Sequence, residues 1–158
     1  MREIVPCLWF DRDAEQAARF YVSLLPDSRI ERIDHAASDY PGGKEGDPLV
    51  VEFTLMGRRY QGLNGGPHFT FSEAVSFVIR TEDQPETDRL WDALIANGGS
   101  PGPCGWLKDR WGLSWQIVPI PFETMLRSSD SNAARRVNQA MFSMQKIDLA
   151  AAEKAFAG

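Results

Sequence analysis

Apolar residues recur along the chain with two alternating spacings, which predicts strands interspersed with helices. An apolar run from Ile4 to Phe10 predicts a strand, and the next segment, from about Asp13 to Leu25, places its apolar residues on one helical face. Asp11 or Asp13 is a suitable N-cap for that helix. Three further strands are predicted over Ser28–His35, Leu49–Met56 and Arg59–Asn64, with a Gly- and Pro-containing loop, Asp39–Pro48, before the second of them. The first part of the chain therefore predicts the order βαβββ.

The same order of elements begins again near Ala74. The predicted elements are a strand (Ala74–Arg80), a helix (Gln84–Ala96), a short strand around Cys104–Lys108 and a last strand (Leu113–Val118). The openings of the two halves align at an offset of 70 residues, Val5 with Val75, and their ends at 55, Gln61 with Gln116. This ordered set of matches favours a duplicated βαβββ module and an α+β fold over a single α+β domain with a coincidental order.

The repeat divides the chain into three predicted segments within one compact unit. These are a first module over residues 1–66, a second over 67–120 and a helical tail over 121–158. Ser131 and Asp148 are the predicted N-caps of the tail helices. The tail is too thin to form a domain, so we expect it to pack on the outer face of the sheet or on a partner subunit.

The amino-acid composition limits the classes of partner that the protein is expected to bind. The 158 residues carry a formal charge of −5 and a pI near 5.0, which argues against a nucleic-acid partner. Two cysteines are too few for a disulfide framework. Without a secretory n-region or a long apolar run, no membrane partner is expected, and a cytoplasmic location is predicted.

Three motifs carry a resemblance to a known family. They are Pro6–Asp11 (PCLWFD), Leu63–Phe69 (LNGGPHF) and the pair Cys104–Asp109 (CGWLKD) with Gly112–Pro119 (GLSWQIVP). Together they resemble the PhnB-like family, which also carries the older label 3-demethylubiquinone-9 3-methyltransferase and belongs to the vicinal oxygen chelate superfamily. The resemblance implies the glyoxalase/bleomycin resistance/dioxygenase-like fold, in which two βαβββ modules form a cup, often within a homodimer.

Metal-using members of that superfamily take His and Glu ligands from the first and last strands of each module. The corresponding positions here are Ile4 or Pro6, Ala74 or Ser76, and the two glutamines Gln61 and Gln116. Neutral amides bind a divalent ion weakly without anionic ligands, and His35 and His68 lie outside these positions. We therefore expect no strong metal site and no cofactor.

The same positions supply the candidate ligand contacts. Inward-facing amides of Gln61 and Gln116 would either hold a polar ligand or bond to each other or to buried water. Trp106 would either line a pocket or pack in the core. With Asn64 and Ser76, these residues form the predicted ligand-binding set; strand alternation places Trp115 on the face opposite Gln116, which we expect to point inward.

Other reactive residues are interpreted as structural. Cys104, predicted on a strand with Lys108 as its nearest cation, is interpreted as a structural thiol, because four strand residues separate the two by about 13 Å. Lys108, Asp109 and Arg110 flank a turn and are expected to be solvated. The Asp39–Pro48 loop is either a lid or a mobile surface loop.

The prediction for function is binding of a small molecule in the cup, with no catalytic residue assigned. One alternative is a metal-dependent isomerase, lyase or transferase with Gln61 and Gln116 among its ligands. Another is a non-catalytic dimeric interaction module. A methyltransferase of the usual class needs a doubly wound parallel sheet with a glycine-rich first turn, whereas Asp11-Arg12-Asp13 follows the first strand here.

Overall fold

A computed structural model describes residues 2–158, which divide into two compact units that meet in sequence at Thr70 and Phe71. The first unit consists of β1 (Cys7–Phe10), α1 (Ala14–Leu24), β2 (Arg29–His35), β3 (Pro48–Leu55) and β4 (Arg58–Asn64). Its sheet has the order β1-β4-β3-β2, in which β1 and β4 are parallel and the other pairs antiparallel.

One face of the first sheet packs on α1 and forms the core of this unit. The buried strand residues alternate along the strands, and those of α1 lie on one stripe; they include Leu8, Phe10, Val51, Phe53, Leu55, Ala14, Ala17, Ala18 and Tyr21. At Gly62 a Cβ atom would lie 3.0 Å from the Cβ atom of Ala14. Any larger residue at this position would therefore push α1 and the sheet apart by a few tenths of an ångström.

The second unit repeats this order and adds three helices. It consists of β5 (Ser76–Thr81), α2 (Gln84–Ile95), β6 (Ser100–Pro101), β7 (Trp106–Lys108), β8 (Ser114–Pro119), α3 (Ile120–Leu126), α4 (Ser131–Met141) and α5 (Leu149–Ala157). Its sheet has the order β5-β8-β7-β6, again with the first pair parallel and the others antiparallel. The predicted α+β fold of two βαβββ modules is confirmed.

The predicted helix caps are correct in part. Asp13 is the N-cap residue of α1, but its side chain makes no capping bond; Asn64 Oδ1 accepts from Ala14 N instead, at 2.9 Å. In α4 the cap is Asp130, whose carboxylate accepts from two backbone N–H groups, and Ser131 is the first helical residue. The predicted cap Asp148 is correct for α5. A capping oxygen supplied from another strand has no local signature in the sequence.

The C-terminal helices pack within the second unit around their own core of Phe122, Val137, Ile147, Leu149 and Ala152. Polar contacts join them to α2: Gln84 donates to Ile147 O and accepts from Leu149 N, and Lys146 pairs with Asp88. The tail is thus an integral part of the second unit. Within residues 2–158, no helix combines the length and the apolar character needed to cross a membrane.

Candidate functional site

The second sheet has a face turned away from α2, which we call the open face and which carries Ser76, Val78, Trp106, Lys108, Ser114 and Gln116. Gln116 Nε2 donates to Ser76 Oγ at 2.9 Å, across the parallel pair β5 and β8. Trp106 lies directly opposite Gln116 on β7. Three of the predicted site residues, Ser76, Trp106 and Gln116, are therefore neighbours, and each is half-buried.

Trp106, one member of this cluster, lines a cavity of about 500 Å³. Its walls come from the open face, the edge strand β6 and the turn after it, and the lining residues are Glu73, Ser100, Pro101, Gly102, Pro103, Trp106, Leu107, Lys108 and Ser114. Most of this lining is apolar, with few polar groups, which is typical of small-molecule sites.

Two polar residues of the cavity, Glu73 and Ser114, are neighbours of Lys108. Its Nζ lies 2.6 Å from Glu73 Oε1, and this hydrogen bond lowers the pKa of Glu73. Ser114 is the cross-strand partner of Lys108 and is 1% exposed. Its Oγ has no hydrogen-bond partner among the described residues. Because a buried hydroxyl without a partner costs about 1–3 kcal/mol, this atom is a candidate contact for a ligand.

Gln61 lies on the corresponding face of the first sheet, paired with Cys7 on β1 and with Glu52 on β3. Glu52 accepts hydrogen bonds from Arg32 and Arg59, so this face is more strongly charged than the open face of the second sheet. Gln61 is half-buried, and the other predicted ligand contact of its unit, Asn64, faces the opposite side of β4.

Asn64 is 3% exposed, and both ends of its amide are engaged inside the first unit. Its Oδ1 accepts from Ala14 N and its Nδ2 donates to Pro48 O at 2.8 Å. These bonds give Asn64 a structural role, and we leave it out of the site developed below.

The strand register corrects the predicted alignment of the repeats by one residue. Cys7 pairs with Gln61, and Val78 pairs with Gln116, so the first strands align at an offset of 71 rather than 70. Pro6 precedes β1, and the first-strand residues beside the glutamines are Cys7 and Val78. Within residues 2–158, no group of three or more His, Cys, Asp or Glu residues could hold a metal ion.

The prediction that Asp109 is a solvated charge beside a turn is wrong, since this residue is 2% exposed. Its carboxylate accepts from Trp111 N, Leu113 N and Trp115 Nε1. Trp115 is buried on the face toward α2, as strand alternation predicts. An Asp before a turn is usually exposed. The indole N–H of Trp115 needs an acceptor when it is buried, and this was the sequence signal that could have indicated a buried Asp109.

Cys104 lies in the turn before β7, with a φ of 57°, and not on a strand as predicted. Its Sγ donates to Met141 O at 3.6 Å, and its backbone N donates to Met144 O. These contacts fasten the turn that borders the cavity to the C-terminal helices, which is a structural use of the thiol.

The comparisons with known proteins agree with this architecture. The family model described as 3-demethylubiquinone-9 3-methyltransferase matches residues 2–118. The solved structure of a PhnB protein from Bacillus cereus is 31% identical, covers 75% of this chain and 99% of its own, and superposes with a TM-score of 0.65. The chain belongs to the PhnB-like, 3-demethylubiquinone-9 3-methyltransferase family.

More distant structures are also similar to this chain. Protein PA1353 from Pseudomonas aeruginosa is 20% identical, with a TM-score of 0.60, and the match covers 75% of this chain and 98% of that protein. A glyoxalase/bleomycin resistance protein from Albidiferax ferrireducens is 17% identical over 74% of this chain and 97% of its own, with a TM-score of 0.48. No curated protein matches the chain. The family match ends at Val118, just before α3, so the three C-terminal helices lie beyond it.

Proposed function

We propose that this protein binds a small organic molecule on the open face of its second sheet, without a tightly held metal ion. The observation that carries the proposal is the cavity of about 500 Å³ lined by Trp106, whose cross-strand partner is Gln116. Its volume falls within the range of about 300–1,000 Å³ common for small-molecule sites. The Trp106 ring supplies a flat apolar wall, and the strands on either side hold it in position.

Gln116 is the proposed polar contact next to that wall. The bond from its Nε2 to Ser76 Oγ orients the amide, and its Oε1 then serves as an acceptor for a donor on the ligand. Gln61 is the equivalent residue of the first sheet, and its role as a ligand contact stays a prediction from the sequence. The cytoplasmic location and the homodimer stay predictions from the sequence.

Methyl transfer, the activity in the family's description, is not the function that we propose. Each sheet of the described chain combines one parallel pair with antiparallel pairs, whereas the usual methyltransferase fold has a parallel, doubly wound sheet. The first strand is followed by Asp11-Arg12-Asp13 and not by a glycine-rich turn. These features favour a binding protein over that class of enzyme.

A screen of small aromatic and polar compounds tests the proposal, with indole ¹⁵N NMR of the full chain as the measurement. We expect a binding compound to shift the Trp106 indole resonance, identified with Trp106→Phe, and to raise the melting temperature. Gln116→Leu should weaken binding about tenfold, because it removes hydrogen bonds at the ligand. Gln139→Leu, on the exposed surface of α4, is the matched control.

Two results would contradict the proposal. One is that no compound in the screen moves the Trp106 resonance. The other is that Gln116→Leu and Gln139→Leu bind the same compound as well as the unmodified protein.

A further inference from the structure

We propose that the polar end of this cavity is a subsite for one carboxylate group, so that the ligand is a flat or cyclic organic monoacid. This inference rests on the proposed function and names the ligand class of the same site. Lys108 and Ser114, directly opposed on β7 and β8, form the subsite. Directly opposed residues have side chains within about 5.5 Å at Cβ, so one anionic group can reach both.

Ser114 supplies the observation that points to a ligand. It lines the cavity, is buried to 1% exposure, and has no partner for its Oγ among the described residues. A hydroxyl in this state lacks the hydrogen bond that almost every buried polar group makes. A carboxylate oxygen beside Lys108 would accept that bond, and the second oxygen would accept from the ammonium group.

Glu73 forms an ion pair with Lys108 in this structure, which shows that the ammonium group can bind a carboxylate. Its Oε1 lies 2.6 Å from Lys108 Nζ, while the Glu73 side chain is 66% exposed and comes from the turn before β5. Such an exposed ion pair is weak. A bound carboxylate would therefore displace Glu73 into water, with the protein's own carboxylate acting as a competitor for the subsite.

The remaining walls specify the body of the ligand. Pro101, Pro103 and the Trp106 ring surround the polar end with apolar surface. Among the described residues that line the cavity, Lys108 is the one cation and Glu73 the one carboxylate. Once Glu73 has moved into water, the one positive charge of Lys108 balances a monoanion, whereas the second charge of a phosphate dianion would stay uncompensated.

The test compares 2-naphthoate, 2-naphthamide and inorganic phosphate on the full chain, followed by the Trp106 indole resonance and by calorimetry. We expect naphthoate to bind about tenfold more tightly than the amide of the same shape, because it adds a charge-assisted bond to Lys108. Phosphate alone should leave Trp106 unshifted.

Three variants separate the parts of the subsite. Lys108→Met should remove the preference for the acid, and Ser114→Ala should weaken naphthoate binding about threefold to tenfold, without lowering the melting temperature, since it deletes an unpaired hydroxyl. Glu73→Gln should tighten naphthoate binding, because it removes the competing carboxylate. Glu153→Gln and Lys154→Met on α5 carry the same charge changes on an exposed surface and serve as controls.

The outcomes distinguish the carboxylate subsite from the proposed small-molecule binding on which it rests. If naphthamide shifts Trp106 and binds as tightly as naphthoate, the carboxylate subsite is wrong and small-molecule binding stands. If neither compound shifts Trp106, nor any compound of the wider screen, both proposals are wrong. Weaker naphthoate binding in Glu73→Gln would overturn the competition between the two carboxylates, and this exposed position keeps that test independent of folding.

Discussion

In each unit a single buried polar side chain holds separate backbone segments together. Asn64, at the end of β4, caps the first turn of α1 with one end of its amide and binds Pro48 O at the start of β3 with the other. In the second unit Asp109 accepts three hydrogen bonds from the turn and strand that follow it. Both side chains are buried, so each lost bond would leave a partner unsatisfied.

At Asn64 this argument predicts a large loss of stability from one substitution. Asn64→Leu should lower the free energy of unfolding by about 2–4 kcal/mol, because Ala14 N and Pro48 O both lose their partner. Urea unfolding followed by circular dichroism measures the change. Asp13→Ala is the control: its side chain makes no capping bond, and we expect a change below about 0.5 kcal/mol. The opposite ranking of the two variants would refute the assignment of the cap.

At the scale of elements, α3 is held to β5 by a charged pair. Arg80 Nε donates to Glu123 Oε2 at 2.9 Å and its Nη2 to Oε1 at 3.2 Å, a two-pronged contact. Arg127, one turn later, donates to the same carboxylate. Hydrogen bonding to Arg80 is the main reason that the pKa of Glu123 lies below its ordinary value of 4.5.

This pair predicts a pH-dependent contribution to stability. A carboxyl group whose pKa is lower in the folded state stabilises the fold above its unfolded pKa, and the contribution is lost as the pH falls through the folded value. The difference in unfolding free energy between the unmodified protein and Glu123→Gln should therefore be largest near pH 7 and shrink below about pH 4.5. Denaturant titrations at several pH values measure it.

The exposed substitution Glu153→Gln is the matched control for that series. It changes the charge by the same amount, but its residue lies on the exposed surface of α5. A difference between Glu123→Gln and the unmodified protein that stays constant from pH 7 to pH 3 would show that the ion pair does not contribute.

At the scale of the whole molecule, the donor chemistry predicts how the protein responds to metal ions. Gln61 and Gln116 stand at the last-strand positions for which the resemblance implies ligands, and Cys7 and Val78 are their first-strand neighbours. Neutral amides without carboxylate or imidazole support bind divalent ions weakly.

We therefore expect removal of metal with a chelator to leave the melting temperature of the full chain unchanged. Addition of Ni²⁺, Zn²⁺ or Mn²⁺ at concentrations equal to that of the protein should also leave it unchanged, because an ion that binds the folded state tightly would raise it. Thermal unfolding with each ion, repeated on Gln116→Leu, checks this. A saturable increase that disappears in Gln116→Leu would instead favour the metal-dependent alternative.

The order of elements could be read from the sequence because its signals are local. Apolar spacing separated α1 and α2 from the strands, and the observed ends lie within a few residues of the predicted ones. The two-residue strand β6 was missed, since Ser100 and Pro101 have no periodicity to detect. The predicted offset between the first strands of the two modules was wrong by one residue. Backbone pairing, and not the side-chain pattern, sets the register of β1 against β4 and of β5 against β8.

The amino-acid sequence by itself determined the duplicated modules and the opposite facing of Trp115 and Gln116, because periodicity and turn residues act over a few positions. The resemblance to the family was carried by short motifs. Tertiary structure decided which polar groups are buried and which are neighbours. The hydrogen bond between Ser76 and Gln116 joins residues 40 positions apart along the chain. The bond between Asn64 and Ala14 joins residues 50 positions apart. Strand register brings such residues together, so their contacts follow from the packing of whole elements and not from any local pattern.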